Sequence, residues 1–205
     1  MPENASGSSS DRSMISLSVL TMGIARVLTS GSRNLFIAPS GYAEPMATPD
    51  FVLALREHIG HAPLPLVGTT AVVFRDEKVL LGKRADNGAW QCIAGIVEPG
   101  EEPADAAARE CLEEAGVVVS VDRLALVHQL PRITYANGDQ VDYTDIVFRC
   151  TWVSGDPHPA DGELIEVGFY DLAAMGEVDD AHVRRIALAM AEDDPAHFRG
   201  GRVKR

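Results

Sequence analysis

The sequence predicts an α/β fold, in which a mixed β-sheet is packed between helices as an α/β/α sandwich. Segments rich in β-branched and aromatic residues recur between residues 66 and 172, as is typical of strands. An Ala-rich helical segment follows the third of them, at residues 103–115, and an amphipathic segment at 180–193 follows the last. Strands separated by helices in this order indicate one sheet with a helix on each face.

The first ordered element expected along the chain is a short helix. Thr48, Pro49 and Asp50 have the pattern of an N-cap, a proline at the first helical position and an acidic first turn, and the helix should run to about Ile59. Residues 1–45 are rich in Ser, Gly, Ala and Pro without a sustained period, so we expect a disordered N-terminal extension. Residues 46–65 then form the short helix and a linker.

The strands follow, and the predicted domain spans residues 66–195. Asn137-Gly138 is a strong hairpin turn signal between two of them. Residues 196–205 should form a basic C-terminal tail. The helix at 180–193 should turn Val183, Ile186, Leu188 and Ala189 inward. The strand-like segments are 66–75, 78–84, 91–95, 117–130, 141–153 and 165–172.

The helix at 103–115 is bounded by Pro103, which suits the first helical position, and by Gly116, which suits a left-handed cap. Small residues that share one stripe should let it pack closely on the sheet: Ala104, Ala107, Ala108, Cys111 and Ala115. Three carboxylates should project from the other flank: Glu110, Glu113 and Glu114. Like charges at these spacings repel, which favours a cation beside them, although a solvated acidic face would also have this pattern.

Composition restricts the class of partner. The 205 residues carry a formal net charge of −12, and no basic residues cluster, so duplex nucleic acid and anionic membranes are poor ligands. No apolar run reaches the roughly 18 residues of a membrane span. Cys92, Cys111 and Cys150 lack metal-type spacing, which favours free thiols in a reducing cytoplasm.

The stretch from Gly95 to Val117 contains a spaced motif, G-x5-E-x7-R-E-U-x-E-E-x-G-U, in which U is apolar. Every fixed position is matched: Gly95, Glu101, Arg109, Glu110, Cys111, Glu113, Glu114, Gly116 and Val117. By these residues the chain resembles the Nudix hydrolases, over roughly residues 66–193. The order of strands and helices is compatible with the sandwich of that family.

The resemblance implies an enzyme that hydrolyses a nucleoside diphosphate linked to another moiety, with Mg²⁺ or, in its place, Mn²⁺. It implies metal ligands from Glu110, Glu113, Glu114 and the carbonyl of Gly95. It also implies that Arg109 and Glu101 form a pair that holds the loop against the helix. These five charged side chains form the expected catalytic set.

The general base stays open, because Nudix families place it either in the helix or on a downstream loop. Glu163 and Glu166 are the downstream candidates, and a surface pair at a strand edge is the alternative interpretation. Trp90 and Tyr135 could bind the base of a substrate, although core packing would also suit Trp90. Glu98 could face either solvent or substrate.

The sequence also does not identify the substrate. Pro131 matches a marker of ADP-ribose-specific members and Tyr135 a marker of diadenosine-polyphosphate members, so the two disagree. A nucleotide, a nucleotide sugar such as ADP-ribose, and a (d)NTP all fit, and a homodimer is compatible with the sequence. A catalytically silent nucleotide sensor and an RNA 5′-end pyrophosphohydrolase are the alternatives. His128, His158 and His182 each lack a carboxylate at motif spacing, which favours ordinary packing.

Overall fold

The structure is a computed structural model, and it describes residues 48–175 and 178–200. The N-terminal extension expected at 1–45 lies outside the described residues, as do residues 201–205. The elements are α1 (Asp50–Ile59), β1 (Leu64–Arg75), β2 (Lys78–Arg84), β3 (Trp90–Gln91), β4 (Ile93–Ile96), α2 (Pro103–Ala115), β5 (Val118–Gln129), β6 (Ile133–Thr134), β7 (Gln140–Ser154), β8 (Leu164–Asp171), a 3₁₀ turn (Leu172–Ala174), α3 (Asp180–Ala189) and β9 (His197–Phe198).

The strands form a mixed sheet in the order β3-β2-β1-β7-β5-β9. Strand β1 runs parallel to β7 and antiparallel to β2 and β4. Strands β4, β6 and β8 join the sheet by pairing with β1, β7 and β2 respectively. The mixed sheet predicted from the sequence is therefore confirmed.

Two hydrophobic cores lie on opposite faces of this sheet. Successive side chains of a strand point to opposite faces, and Ala71 and Val73 of β1 pack with α2 while Val72 and Phe74 pack with α3. Because the two helices cover different faces, the α/β/α sandwich is confirmed. The α2 side contains the glutamate motif. No helix among the described residues has the length and apolar composition needed to cross a membrane.

The N-terminal boundaries differ slightly from the prediction. Helix α1 begins at Asp50 with Pro49 as its N-cap, so Pro49 is not the first helical residue. Strand β1 begins at Leu64 and contains Pro65, which was expected in the linker. At Pro65 only β7 pairs with β1, since β4 pairs from Gly68 onward, so the missing amide hydrogen breaks no bond in the ladder.

The C-terminal elements also differ. Helix α3 ends at Ala189, and Arg149 donates hydrogen bonds of 3.0 Å to the carbonyls of Ala189 and Met190. The start of the predicted tail is instead a short strand, since His197 and Phe198 pair in parallel with β5. Val183 and Leu188 are only half-buried, while Ile186 and Ala189 are buried as expected.

Candidate active site

Strand β4 brings Gly95 against helix α2. Gly95 is paired with Thr69 of β1, which fixes its backbone in the sheet. A Cβ atom at this position would lie 1.9 Å from Oε1 of Glu110. Only glycine therefore lets the carboxylate of Glu110 approach the strand so closely. The motif glycine and the first glutamate of the helix are direct neighbours.

Arg109 connects the loop to the helix. Its Nε and Nη2 donate to the two oxygens of Glu101 at 2.8 and 3.0 Å, a two-pronged contact. Nη1 donates to Glu110 at 2.9 Å and to Glu113 at 2.8 Å, and Nη2 also reaches the carbonyl of Ile96 at 3.2 Å. One guanidinium thus holds three carboxylates and the end of β4. The predicted pair of Arg109 with Glu101 is present, and the structure adds contacts with Glu110 and Glu113.

The three helix glutamates differ in exposure, so the prediction that they project together from the flank opposite the small-residue stripe is wrong for Glu114. Glu114 is 1% exposed, whereas the side chains of Glu110 and Glu113 are 14% and 52% exposed. Glu114 follows Ala107 by seven residues, which places the two only about 20° apart around a helix of 3.6 residues per turn. Glu114 therefore lies at the border of the stripe that faces the sheet.

Burial perturbs two of these carboxyls. Desolvation, with the nearby charge of Glu110 adding to it, raises the pKa of Glu114 to about 9. Desolvation also raises the pKa of Glu110 to about 7, against the opposing charge of Arg109. Oε2 of Glu114 is buried and has no hydrogen-bond partner in the structure. An unpaired buried polar atom is costly, and a ligand that contacted it would offset that cost.

A hard divalent cation fits this group of atoms. Such ions prefer carboxylate and carbonyl oxygens, which Glu110, Glu114 and the backbone of Gly95 supply. Across the described ranges no three His, Cys, Asp or Glu side chains form a ready-made metal centre. Mg²⁺ does not need one, because it usually takes one or two carboxylates and completes its shell with waters and substrate phosphates. The orphaned oxygen of Glu114 is the stronger observation, and the residues fit the cation.

Only one of the two downstream glutamates is brought to this group. The charge of Glu163 contributes to the raised pKa of both Glu110 and Glu114, so it lies near them. Glu166 is exposed and instead accepts a 2.8 Å hydrogen bond from the hydroxyl of Tyr170. Glu163 therefore remains a candidate base, and the placement of Glu166 does not support that role.

A profile of the NUDIX domain matches residues 64–190, the whole of the sandwich from β1 to the end of α3. The chain belongs to the Nudix family. Nudix members are hydrolases that generally use a divalent metal ion, which agrees with the oxygen ligands around Glu114.

Curated Nudix relatives match part of the chain. An ADP-ribose pyrophosphatase of Methanocaldococcus jannaschii is 32% identical over 125 residues, which is 60% of this chain and 71% of that protein. A MutT-like protein of Streptomyces ambofaciens is 43% identical over 68 residues, 33% of this chain. The match spans only 44% of the length of that second relative.

Solved Nudix structures share the fold. A NUDIX hydrolase from Nitrosomonas europaea is 26% identical, with 62% of this chain and 89% of that chain covered and a TM-score of 0.51. A MutT NUDIX hydrolase from Burkholderia pseudomallei is 29% identical, with 61% and 96% covered and the same TM-score of 0.51.

The residues proposed to bind substrate lie apart from the Nudix helix. Trp90 packs on the α3 side of the sheet, with its ring 4.8 Å from that of Tyr170. Tyr135 packs against a third, smaller apolar cluster formed by Val52 of α1 with Leu64, Leu66 and Val141, and its hydroxyl lies 3.3 Å from that of Tyr143. Glu98 is exposed; its amide donates a 3.0 Å hydrogen bond to the carboxylate of Glu101, and its carbonyl accepts one of 3.1 Å from the amide of Glu101. Core packing is thus the better interpretation of Trp90.

Arg84 is a functional candidate that the sequence reasoning missed. It ends β2, and Asp86 holds its guanidinium by hydrogen bonds of 2.8 and 2.6 Å. Its positive charge opposes the raised pKa of Glu114, so it lies near that carboxylate. An arginine at a strand end with an aspartate two residues later was the available signal in the sequence.

A second charged cluster on the α3 side was also missed. Arg185 donates to the Asp145 carboxylate at 2.8 and 2.9 Å, and both residues are buried. His128 Nε2 lies 2.8 Å from the same carboxylate, and the hydroxyl of Thr70 donates to it at 2.8 Å. Against the effect of burial, these contacts hold the pKa of Asp145 below its usual value. The cluster ties α3 to the sheet, and His128 does have a carboxylate partner.

Proposed function

We propose that this Nudix chain hydrolyses the pyrophosphate bond of a nucleoside diphosphate linked to another moiety, by attack of water on phosphorus. The observation that carries the proposal is the buried, unpartnered oxygen of Glu114, next to Glu110 on the motif helix. Keeping a carboxylate there is unfavourable for a purely structural domain, since burial opposes its charge. A bound cation would offset the cost of burying this charge.

Mg²⁺, or Mn²⁺ in its place, would be held by Glu110, Glu113, Glu114 and the carbonyl of Gly95. When bound, the cation would neutralise phosphate oxygens and lower the pKa of a bound water. Arg109 holds Glu110 and Glu113 by hydrogen bonds and so orients two of these ligands.

Glu163 is the proposed general base, because of the two downstream candidates it is the one near enough for its charge to raise the pKa of Glu110 and Glu114. Its backbone carbonyl accepts a 2.9 Å hydrogen bond from Ala85, which anchors its position beside the end of β2. Arg84 is proposed to stabilise negative charge on the phosphates, since Asp86 fixes its guanidinium and its charge acts on Glu114.

ADP-ribose is the first substrate to test. The relative named an ADP-ribose pyrophosphatase matches over 71% of its length, which supports this choice. A net charge of −12 opposes binding of an RNA 5′ end. The activity is proposed to be cytoplasmic, where the three buried free cysteines would stay reduced.

The test is hydrolysis of a panel of ADP-ribose, a diadenosine polyphosphate, a (d)NTP and a triphosphorylated RNA, with products separated by chromatography. Turnover of a small nucleotide in Mg²⁺ supports the proposal. Binding of nucleotide without turnover would instead support a silent sensor, and preference for the RNA would support 5′-end processing. Glu163→Gln should lower kcat by about 10² or more. Glu166→Gln is the matched control, since Glu166 contacts Tyr170 and not the helix glutamates, and it should leave kcat unchanged.

A further inference from the structure

The segment 155–163 is fastened to the C-terminus of α2. The last carbonyls of a helix have no partner within the helix. Here the amide of His158 donates to the carbonyl of Ala115 at 3.1 Å, and the amide of Ala160 donates to that of Glu114 at 3.1 Å. The segment therefore binds the backbone of the residue whose side chain lies at the centre of the proposed metal site.

The ring of His158 covers the glycine that ends the helix. Gly116 is left-handed, with φ of 66°, and a Cβ on it would lie 2.2 Å from Cε1 of His158. Nδ1 of His158 donates a 2.8 Å hydrogen bond to the carbonyl of Asp156, which fixes the ring. A Cβ on Gly155 would lie 2.4 Å from the carbonyl oxygen of Gly116. The two backbones thus meet at close range, with the imidazole beside them.

The other end of the segment is held as well. The amide of Glu163 donates to Oδ1 of Asp161 at 2.9 Å, and its carbonyl accepts from Ala85 at 2.9 Å. Glu163 follows Ala160 by only three residues, so a shift of the segment at the helix terminus moves Glu163 directly. Short connections transmit such shifts because each residue spans at most about 3.6 Å.

We propose that His158 is a positioning residue that sets the distance between Glu163 and the glutamates of α2. Its ring packs on Gly116 and fixes the register of segment 155–163 against the helix end, while Glu163 performs the chemistry. The inference rests on the proposed role of Glu163 as general base. It assigns a role to a histidine outside the Nudix motif, whose sequence pattern favoured ordinary packing.

His158→Ala removes the ring and the bond to Asp156 but leaves the backbone amide. We expect kcat to fall about 10-fold, since small misplacement of a reacting group has effects of this order or larger, with KM changed less than 2-fold. His158→Phe keeps a ring over Gly116 and should recover most of the loss. His197→Ala, at the sheet edge formed by β9, is the matched control and should behave as the parent. Melting temperatures measured alongside identify any variant that fails to fold.

The decisive arm combines His158→Ala with Glu163→Gln. If His158 acts through Glu163, the double variant should be no slower than Glu163→Gln alone. Once the carboxylate of Glu163 has been removed, its position has no further effect on kcat. The inference would be overturned if the fold losses in kcat of the two single variants multiply in the double variant, or if His158→Ala is as fast as the parent. Either result would leave the assignment of Glu163 as the base intact. A fully active Glu163→Gln variant would overturn both, and that result separates failure of the proposed function from failure of the positioning role.

Discussion

Replacing Arg109 with Ala tests whether the motif pair holds the site together. The side chains of Arg109 and Glu101 are 27% and 18% exposed, so both lie largely out of water. Removing one partner of a buried pair lowers the free energy of unfolding by about 3–5 kcal/mol. Because this pair is partly exposed, we expect a loss of about 3 kcal/mol. For a domain of this size that corresponds to a fall in melting temperature of about 10 °C. Metal affinity should fall too, since Glu110 and Glu113 lose the group that orients them.

The assay is thermal unfolding, followed by circular dichroism, together with titration of Mg²⁺ against activity. Arg109→Lys should be intermediate, because an ammonium cannot make the two-pronged contact. Arg132 is the matched control: it also makes a two-pronged contact with a carboxylate, that of Asp142, at 2.8 and 2.7 Å, but its side chain is 50% exposed. Arg132→Ala should leave the melting temperature nearly unchanged. An Arg109→Ala variant that melts like the parent and binds Mg²⁺ equally well would refute the reasoning.

Three further predictions follow from the fold. Gly95→Ala should abolish most activity, because the new Cβ would lie 1.9 Å from the Glu110 carboxylate, while Gly168→Ala, with 3.5 Å to its nearest atom, should be nearly neutral in the same assay. Burial lowers the pKa of His182 from 6.5 to about 4, so unfolding should become easier as pH falls through that window, where only the unfolded chain binds the proton. His182→Asn should flatten this slope in urea titrations at pH 6.5 and 4.5, and an unchanged slope would contradict the assignment. A chain beginning at Met46 should keep the parent's melting temperature and activity, and a large loss of either would show that residues 1–45 contribute to the domain.

The fold was predictable where its determinants are local. Pro103 and Gly116 predicted the bounds of α2, and the structure has the same helix at 103–115. Pairing between distant strands was not predictable in this way. Pro65 is tolerated in β1 only because one side of the strand is open there, and His197 joins the sheet only because β5 offers its edge. Neither condition can be read from the residues themselves.

The candidate site also contains features that were predictable from the sequence and features that were not. The resemblance to the Nudix family implied that Arg109 contacts Glu101, and the structure has this contact. Helical periodicity alone would have placed Glu114 beside the sheet-facing stripe, about 20° from Ala107. The ion pair of Asp145 with Arg185 depends instead on how α3 packs against the sheet. A charged residue such as Arg185 is assigned to the polar face of an amphipathic pattern, and only the packed structure shows its buried partner.

The most direct test of the central claim is the turnover of ADP-ribose to AMP and ribose 5-phosphate by the parent and by Glu114→Gln at equal Mg²⁺. The substitution keeps the shape of the side chain but removes the charge that the buried site holds for a cation. We predict turnover in the parent that excess chelator abolishes, and a fall of about 10² or more in the variant, with both proteins folded. Full activity in the variant, or in the parent under excess chelator, would contradict the metal site on α2.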